Sequence, residues 1–328
     1  MSYLTKPLET YNLSLKNRLV MPPMATAKAD NEGKITEDIL NYYDEKSKGG
    51  YISLIIIEHS FVSPEGKASH RQMSIADDSV IDGLKKLADT IHKNGTKAVM
   101  QISHAGSAAS KEITGYDPVA PSAIPNPRKG ESVPLELTKD QIKDIIQKFK
   151  EAAIRVKDAG FDGVEIHSAH GYFLNQFLSP LTNKRTDEYG GDIYGRIRIH
   201  LEIIKEIRNA VGNSYPIFLR LGATDKTEGG TTVEDSVKAS IEFEKAGVDI
   251  LDISGGFCGY AFPGEGYFAP VSLEIKKAVN IPVIVTGGIK DVQVAEDILR
   301  EGKADLIGVG RAILNDSNWA KRAIESLS

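Results

Sequence analysis

Eight short apolar runs, separated by segments with a helical hydrophobic period, constrain the fold of this 328-residue chain more than any other feature. Each run is continuous rather than alternating, as expected of strands that are buried on both faces of a parallel sheet. The runs are Arg18–Met21, Ile52–Glu58, Ala98–Ile102, Gly163–His167, Ile217–Leu221, Ile250–Ile253, Val283–Thr286 and Leu306–Val309. They predict eight parallel strands joined by helices.

The intervening segments carry helix signals at their ends. Thr138 and Gln141 form a capping-box pattern at the start of one segment, and Gly160 follows its last apolar residue. Helices are predicted to start at Thr138 and at Thr232, and to cover Ile35–Gly49, Val80–Gly95, Ile193–Gly212 and Val292–Gly302.

Eight strand–helix units predict an α/β protein of the (β/α)8 or TIM-barrel class, which usually needs about 250 residues. No Pro-, Gly- or Ser-rich linker divides the sequence, so residues 1–328 are expected to form one domain. The alternative is an open doubly wound sheet, which predicts a glycine-rich turn after the first strand. The segment found there, MPPMATAKAD (21–30), contains no glycine.

Charge and composition bound the function. The chain has 40 basic and 45 acidic residues and a net charge of −5, which argues against a nucleic-acid partner. Its single cysteine, Cys258, excludes an intrachain disulfide and a multi-thiolate cluster. The longest apolar stretch, Ile52–Ile57, is too short to span a membrane, and residues 1–16 show no signal peptide. We therefore expect a cytoplasmic protein with no membrane partner.

Two glycine loops follow the last two predicted strands. They are Val285–Gly288 and Gly308–Arg311, and a TIM barrel frequently binds phosphate at this place. Glycine lets backbone N–H groups approach an anion, and Arg311 can add a bidentate charge. The alternative is that the glycines only make tight turns.

A histidine pair and a tyrosine follow the fourth predicted strand. His167 shares a strand face with Glu165, and His170 and Tyr172 lie just beyond the strand end. Two imidazoles can donate hydrogen bonds to a carbonyl oxygen that gains negative charge, and a phenol can supply a proton. Two alternatives stay open: a metal site, for which only Glu165 is a clear third ligand, and histidines that merely pack in the core.

Gln101 and Arg220 are polar residues within buried strands. A buried guanidinium is costly unless it meets an anion, so Arg220 belongs either to an internal ion pair or to a ligand site. In the second case both Gln101 and Arg220 would line a cavity at the carboxyl end of the barrel and contact an electron-rich ring. Residue patterns alone do not name that ligand.

Longer motifs resemble the Old Yellow Enzyme family. They are NRLVMPPMAT (17–26), QISHAG (101–106), EIHSAHGYFLNQFLSPLTNKRTDEYGG (165–191), FLRLGA (218–223) and IGVGR (307–311). MPPMAT and ISGGFCGYAFPGEGYF (253–268) are most similar to the FMN modules of 2,4-dienoyl-CoA and 2-enoate reductases. The resemblance implies an FMN-containing barrel that uses NADH or NADPH to reduce a C=C bond activated by a carbonyl or nitro group.

The resemblance also implies residue roles. The cofactor-binding set would be Pro23, Met24, Ala25, Thr26, His59, Gln101, Arg220, Gly287, Gly288, Gly310 and Arg311. In this set Thr26 would offer its hydroxyl, His59 would touch the flavin through its backbone, and Arg220 would sit beside the N1/O2 edge. His167 and His170 would hold the substrate carbonyl while hydride passes from flavin N5 to the β-carbon, and Tyr172 would protonate the α-carbon. The expected partner is a small enone- or enoate-type molecule, and a homo-oligomer is compatible with the sequence.

Some positions depart from the family pattern. Ala25 stands where relatives often carry a Cys or Thr that tunes the flavin, Ala27 where some carry a substrate-contacting tyrosine, and Ser107 where the QxxHxGR motif has arginine. The loop with Tyr260, Phe262, Tyr267 and Phe268 would form a substrate wall or simply pack on the surface. The alternative function is a flavin-free aldolase- or isomerase-type barrel, which leaves Gln101 and Arg220 unexplained and offers only Glu58 or Glu165 as a base.

Overall fold

A closed barrel of eight parallel strands forms the centre of the computed structural model, which describes residues 2–327. The strands are β1 (Leu19–Met21), β2 (Leu54–Phe61), β3 (Lys97–Ser103), β4 (Gly163–Ser168), β5 (Ile217–Gly222), β6 (Ile250–Ser254), β7 (Val283–Val285) and β8 (Leu306–Gly308). Each strand pairs with the next along the chain, and β8 pairs with β1 through Ile307↔Leu19 and Gly308↔Val20. The predicted (β/α)8 class is confirmed, and all eight predicted runs form the barrel strands.

A layer of helices surrounds the barrel. Its main members are α1 (Glu37–Ser47), α2 (Ile81–His92), α3 (Lys139–Asp158), α4 (Arg198–Val211), α5 (Val233–Ala246), α6 (Ala269–Lys276), α7 (Val292–Arg300) and α8 (Trp319–Ser326). Shorter helices cover Lys111–Thr114, Phe173–Leu178, Ile193–Arg196 and Arg311–Asn315. No helix within residues 2–327 is long and apolar enough to cross a membrane.

Helix ends follow the local sequence signals. The capping box of α3 is present, since the Thr138 side chain accepts from Gln141 N–H and the Gln141 side chain accepts from Thr138 N–H. Thr232 likewise caps α5. The single helix predicted over Ile193–Gly212 is wrong in one respect, because the chain breaks it at Ile197. Gly195 precedes the break, and glycine destabilises a helix because it loses more conformational freedom on folding than other residues do.

The amino end of the barrel is closed by a two-stranded hairpin, Leu8–Glu9 with Ser14–Leu15. Leu13 and Leu15 join a buried cluster with residues from the starts of the strands, among them Leu54, Ile250 and Leu306. Fully burying one such side chain is worth about 1.5–3 kcal/mol. The amino end of the barrel is therefore apolar and closed, and the cavity lies at the other end.

Strand β2 departs from the prediction at its carboxyl end. The sequence predicts its end at Glu58, but the strand continues to Phe61. Its pairing with β3 shifts register between Ile57 and Ser60, so that two residues, Glu58 and His59, stand opposite one residue of β3. This is a β-bulge, a feature that re-aims side chains beside functional sites.

Candidate active site

A cavity of about 560 Å³ opens at the carboxyl ends of the barrel strands. Its lining comes from the segments that follow the strands, as expected for this fold. Of the residues predicted to form the site, the structure brings all but one to this cavity: Pro23, Met24, Ala25, His59, Gln101, His167, His170, Tyr172, Arg220, Gly287, Gly288, Gly310 and Arg311.

Thr26 is the exception, because it does not line the cavity. Its backbone N–H donates to Glu58 Oε2 at 2.7 Å, and its hydroxyl donates to Glu58 Oε1 at 2.5 Å. Glu58 is buried and needs donors for both carboxyl oxygens, and Thr26 supplies them. Glu58 thus engages the Thr26 hydroxyl, and the use of this hydroxyl as a cofactor contact stays a prediction.

The two histidines after β4 have adjacent rings, with centroids 5.2 Å apart. Burial holds the pKa of each well below the ordinary value, and the charge of Arg220 adds to the effect. Both imidazoles are therefore neutral at pH 7, and each can donate one N–H. His167 Nδ1 has no hydrogen-bond partner among the described residues. His170 Nε2 lies 2.8 Å from Ser254 Oγ.

The backbone of His170 is held in an unusual conformation. Its φ of 61° is rare for a residue other than glycine. Its N–H donates to Gly255 O, and its carbonyl accepts from Arg128 Nη1 at 2.7 Å. Such strain persists only where surrounding contacts fix it, and it is concentrated at functional sites.

Tyr172 lies between His167 and His59. Its ring centroid is 5.2 Å from that of His167 and 5.4 Å from that of His59. Burial raises the pKa of Tyr172, so the phenol is protonated at neutral pH. The ring of His59, and not only its backbone, therefore belongs to the site.

A buried ionisable cluster lies beside the cavity. Arg220 lines the cavity, and its Nε lies 3.3 Å from Asp252 Oδ2 without forming a well-aligned hydrogen bond. Gln101 Nε2 donates to Glu165 Oε1 at 2.7 Å, while Glu165 Oε2 has no partner among the described residues. Burial raises the pKa of Asp252 to about 6, and burial with the charge of Asp252 raises that of Glu165 well above its usual range. Arg220 thus belongs both to an internal ion pair and to the cavity wall.

The two glycine loops form the far end of the cavity. Gly288 has a φ of 72°, and a Cβ there would lie 2.8 Å from Tyr267 Cε1. A Cβ on Gly310 would lie 2.8 Å from Met24 Sδ. The positive φ favours glycine at position 288, whereas a side chain at 310 would require Met24 to move, and Arg311 lines the cavity beside both loops. Exposed backbone next to a guanidinium is suited to a phosphate group.

The charged residues that line the cavity are all basic. Its lining includes Arg128, Lys129, Arg220 and Arg311, and it includes no Asp or Glu. The two carboxylates offered as bases for the flavin-free alternative, Glu58 and Glu165, are buried outside the lining. An electron-rich or anionic ligand fits this surface, and neither carboxylate named for the flavin-free alternative reaches the cavity.

Several lining residues were not found from the sequence. Asn126, Arg128 and Lys129 come from the long loop after β3, and Ser254 contacts the site at the end of β6. Only the loop as a whole was indicated, by its length and its place after a strand. In the aromatic loop, Tyr260 and Tyr267 line the cavity, whereas Phe262 and Phe268 pack against Tyr267.

Fold and cavity together define a barrel with a phosphate-type pocket at one end and a neutral imidazole pair beside a buried guanidinium. A sequence model of the "NADH:flavin oxidoreductase / NADH oxidase family" matches residues 3–328. The chain therefore belongs to the NADH:flavin oxidoreductase / NADH oxidase family. This confirms the resemblance to the Old Yellow Enzyme group, and with it the expected FMN and nicotinamide cofactors.

Relatives and solved structures agree with this assignment. An "NADH oxidase" from Thermoanaerobacter brockii is 44% identical over 324 residues, which are 96% of this chain and 49% of the relative. A "Metal reductase" from Desulforamulus reducens is 39% identical over 330 residues, 99% of this chain and 49% of the relative. The chain thus spans about half the length of these curated relatives.

Among solved structures, a 2-naphthoyl-CoA reductase complex superposes with a TM-score of 0.94 at 30% identity, over 99% of this chain and 52% of the other. Morphinone reductase in complex with tetrahydroNAD gives 0.87 at 26% identity, over 99% and 91%. An Old Yellow Enzyme homologue from Zymomonas mobilis gives 0.86 at 25% identity, over 99% and 93%.

The residues present fit FMN. The glycine loops with Arg311 suit its phosphate, and the buried Arg220 suits the electron-rich edge of its ring. Gln101 offers an amide to the same wall.

Proposed function

We propose that this chain is an FMN-dependent NAD(P)H ene-reductase, which reduces a C=C bond conjugated to a carbonyl or nitro group. The observation that carries the proposal is the convergence of His167, His170 and Tyr172 on a cavity that Arg220 also lines. The ring centroids of His170 and Tyr172 each lie 5.2 Å from that of His167. Two hydrogen-bond donors and one acid are what the reduction of such an alkene requires of the protein.

When bound, FMN supplies the hydride chemistry between a nicotinamide and the alkene. The chain would hold its phosphate with Gly287, Gly288, Gly310 and Arg311. It would contact the ring with Pro23, Met24, Ala25, His59, Gln101 and Arg220. The positive charge of Arg220, fixed by Asp252, would favour negative charge on the ring edge.

His167 and His170 would hold the substrate oxygen. As neutral imidazoles, they donate hydrogen bonds without giving up a proton, which suits an oxygen that gains charge only during the reaction. Because burial keeps their pKa values low, this donor state persists through the physiological pH range.

Tyr172 would give the proton to the α-carbon. Its raised pKa keeps the phenol protonated, and its ring is next to that of His167.

The names of two structural neighbours, 2-naphthoyl-CoA reductase and morphinone reductase, specify the reduction of compounds that carry a carbonyl group. They support an unsaturated carbonyl compound as the substrate here.

A two-stage absorbance experiment tests the proposal. The purified protein should show the visible bands of a bound flavin, NADH should bleach them without oxygen, and 2-cyclohexen-1-one should restore them. The proposal fails if the enone restores the colour no faster than buffer alone, provided that ferricyanide restores it.

A second candidate is an NADH oxidase, in which oxygen takes the place of the alkene. The 44% identical relative of that name supports it. The same reduced protein should then recolour faster with air-saturated buffer than with any enone or nitroalkene of a panel.

A further inference from the structure

The function proposed above gives His59 only a contact with the flavin, and it gives the imidazole, which lines the cavity, no role in the proton transfer. It stands in the β-bulge of β2, where Glu58 and His59 together face a single residue of β3. An extra residue in one strand changes the direction of the side chains around it. Here Glu58 is bound to Thr26, and the imidazole of His59 lies in the cavity.

The His59 ring contacts the proposed proton donor in two ways. It stacks on the Tyr172 ring, with centroids 5.4 Å apart and planes inclined by 21°. Its Nε2 also lies 3.3 Å from the Tyr172 hydroxyl. Among residues 2–327, this is the one side-chain hydrogen bond of that hydroxyl. His59 therefore helps to hold the plane of the phenol, together with His167, and it is the side-chain partner of the hydroxyl.

The protonation states suit this contact. Burial, with the charge of Arg220, lowers the pKa of His59 to about 4, so the imidazole is neutral at pH 7. A neutral imidazole accepts through Nε2 in one tautomer and donates through it in the other. His59 can thus accept from the phenol of Tyr172, and it can donate to the phenolate that remains after proton transfer.

We propose that His59 is a positioning residue for Tyr172, and that its Nε2 holds the phenol oxygen during protonation of the alkene. The role rests on the proposed function, in which Tyr172 is the acid. Gln72 supports the position, because its Nε2 donates to the backbone carbonyl of His59 at 3.0 Å. His59 also contacts the ring of His167, with centroids 6.3 Å apart, so the test must separate an effect through Tyr172 from one through His167.

A double-mutant cycle tests the proposal. FMN-loaded parent, His59→Ala, Tyr172→Phe and the double variant are reduced with NADH and mixed with 2-cyclohexen-1-one, and the return of flavin absorbance is timed. One hydrogen bond of this kind changes a rate by about two- to tenfold. His59→Ala should slow the parent by that factor and should not slow Tyr172→Phe further.

Two further variants separate the hydrogen bond from the stacking. His59→Gln keeps a polar group near the Nε2 position and should recover part of the rate, whereas His59→Phe keeps an aromatic ring and should stay slow. The flavin content of each preparation, read after denaturation, is the reference for all rates.

The outcomes are distinct. The proposal is overturned if His59→Ala slows Tyr172→Phe as much as it slows the parent, or if His59→Ala or His59→Phe recolours as fast as the parent. If Tyr172→Phe itself is as fast as the parent, the proposed function is what fails.

Discussion

The two ends of the barrel are built on opposite principles. At the amino end, the hairpin that contains Leu13 and Leu15 closes an apolar cluster. At the carboxyl end, buried polar atoms of Glu165, His167 and Asp252 have no hydrogen-bond partner among the described residues. One end of this fold thus buries apolar side chains that stabilise it, and the other buries polar and ionisable groups beside the cavity.

The largest effect is expected from the imidazole pair. His167→Ala with His170→Ala should slow recolouring by an enone by several orders of magnitude, because each such donor is worth about 10²–10³-fold. FMN should stay bound, since the glycine loops are untouched. Stopped-flow absorbance measures the rate, and His70→Ala, on the exposed surface, is the control. Unchanged recolouring in the double variant would remove both histidines from the reaction.

A smaller effect is expected from replacing Tyr172, the proposed proton donor. Tyr172→Phe should slow alkene reduction by about 10²-fold or more, the lower range for loss of a general acid, while NADH still bleaches the flavin. Tyr116→Phe, at a half-exposed tyrosine outside the cavity, should leave both half-reactions unchanged. Equal losses in both halves would contradict the role of Tyr172 as proton donor.

A substitution at the amino end of the barrel should change the stability of the protein and not the reaction rate. Leu15→Ala should lower the free energy of unfolding by about 2–5 kcal/mol, because Leu15 is buried in the hairpin cluster. Urea denaturation measures this change. Recolouring per bound flavin should match the parent, and Tyr11→Ala on the same hairpin, where Tyr11 is 93% exposed, should change stability by less than about 0.5 kcal/mol. A large rate loss in Leu15→Ala would break the division between the two ends.

The smallest of these four effects is expected beside the glycine loops, at Arg311. Arg311→Ala should weaken FMN binding by about 10- to 100-fold, the range for a hydrogen bond to a charged group. Fluorescence titration of stripped protein with FMN measures the dissociation constant. Arg300→Ala, whose side chain pairs with Asp297 on the surface, should bind FMN like the parent. Unaltered affinity in Arg311→Ala would place the phosphate elsewhere.

The sequence predicted the barrel because buried parallel strands are continuous apolar runs, and their carboxyl ends must meet at one edge. That rule placed His167 and the glycine loop with Arg311 at one cavity, but it left Arg220 open between an internal ion pair and a ligand site until the family resemblance pointed to the cavity. It did not predict the direction of Thr26, because side-chain alternation ends where the strand ends.

Other features escaped prediction for physical reasons of the same kind. The bulge at Glu58 and His59 cannot be read from the pattern of apolar residues in the sequence. Arg128 and Ser254 reach the site through contacts with His170, which lies far from both along the chain. Local periodicity carries no information about such tertiary contacts.

The short pairing of the last barrel strands has a consequence for local unfolding of the protein. Only two residue pairs join β8 to β1, and two join β7 to β8, whereas five join β5 to β6. The glycine loops leave the ends of β7 and β8, beside the shortest ladders. A phosphate group held by these loops would stabilise the ends of β7 and β8 and would slow amide hydrogen exchange most in those two strands. The cofactor would then support part of the barrel wall as well as serve the reaction.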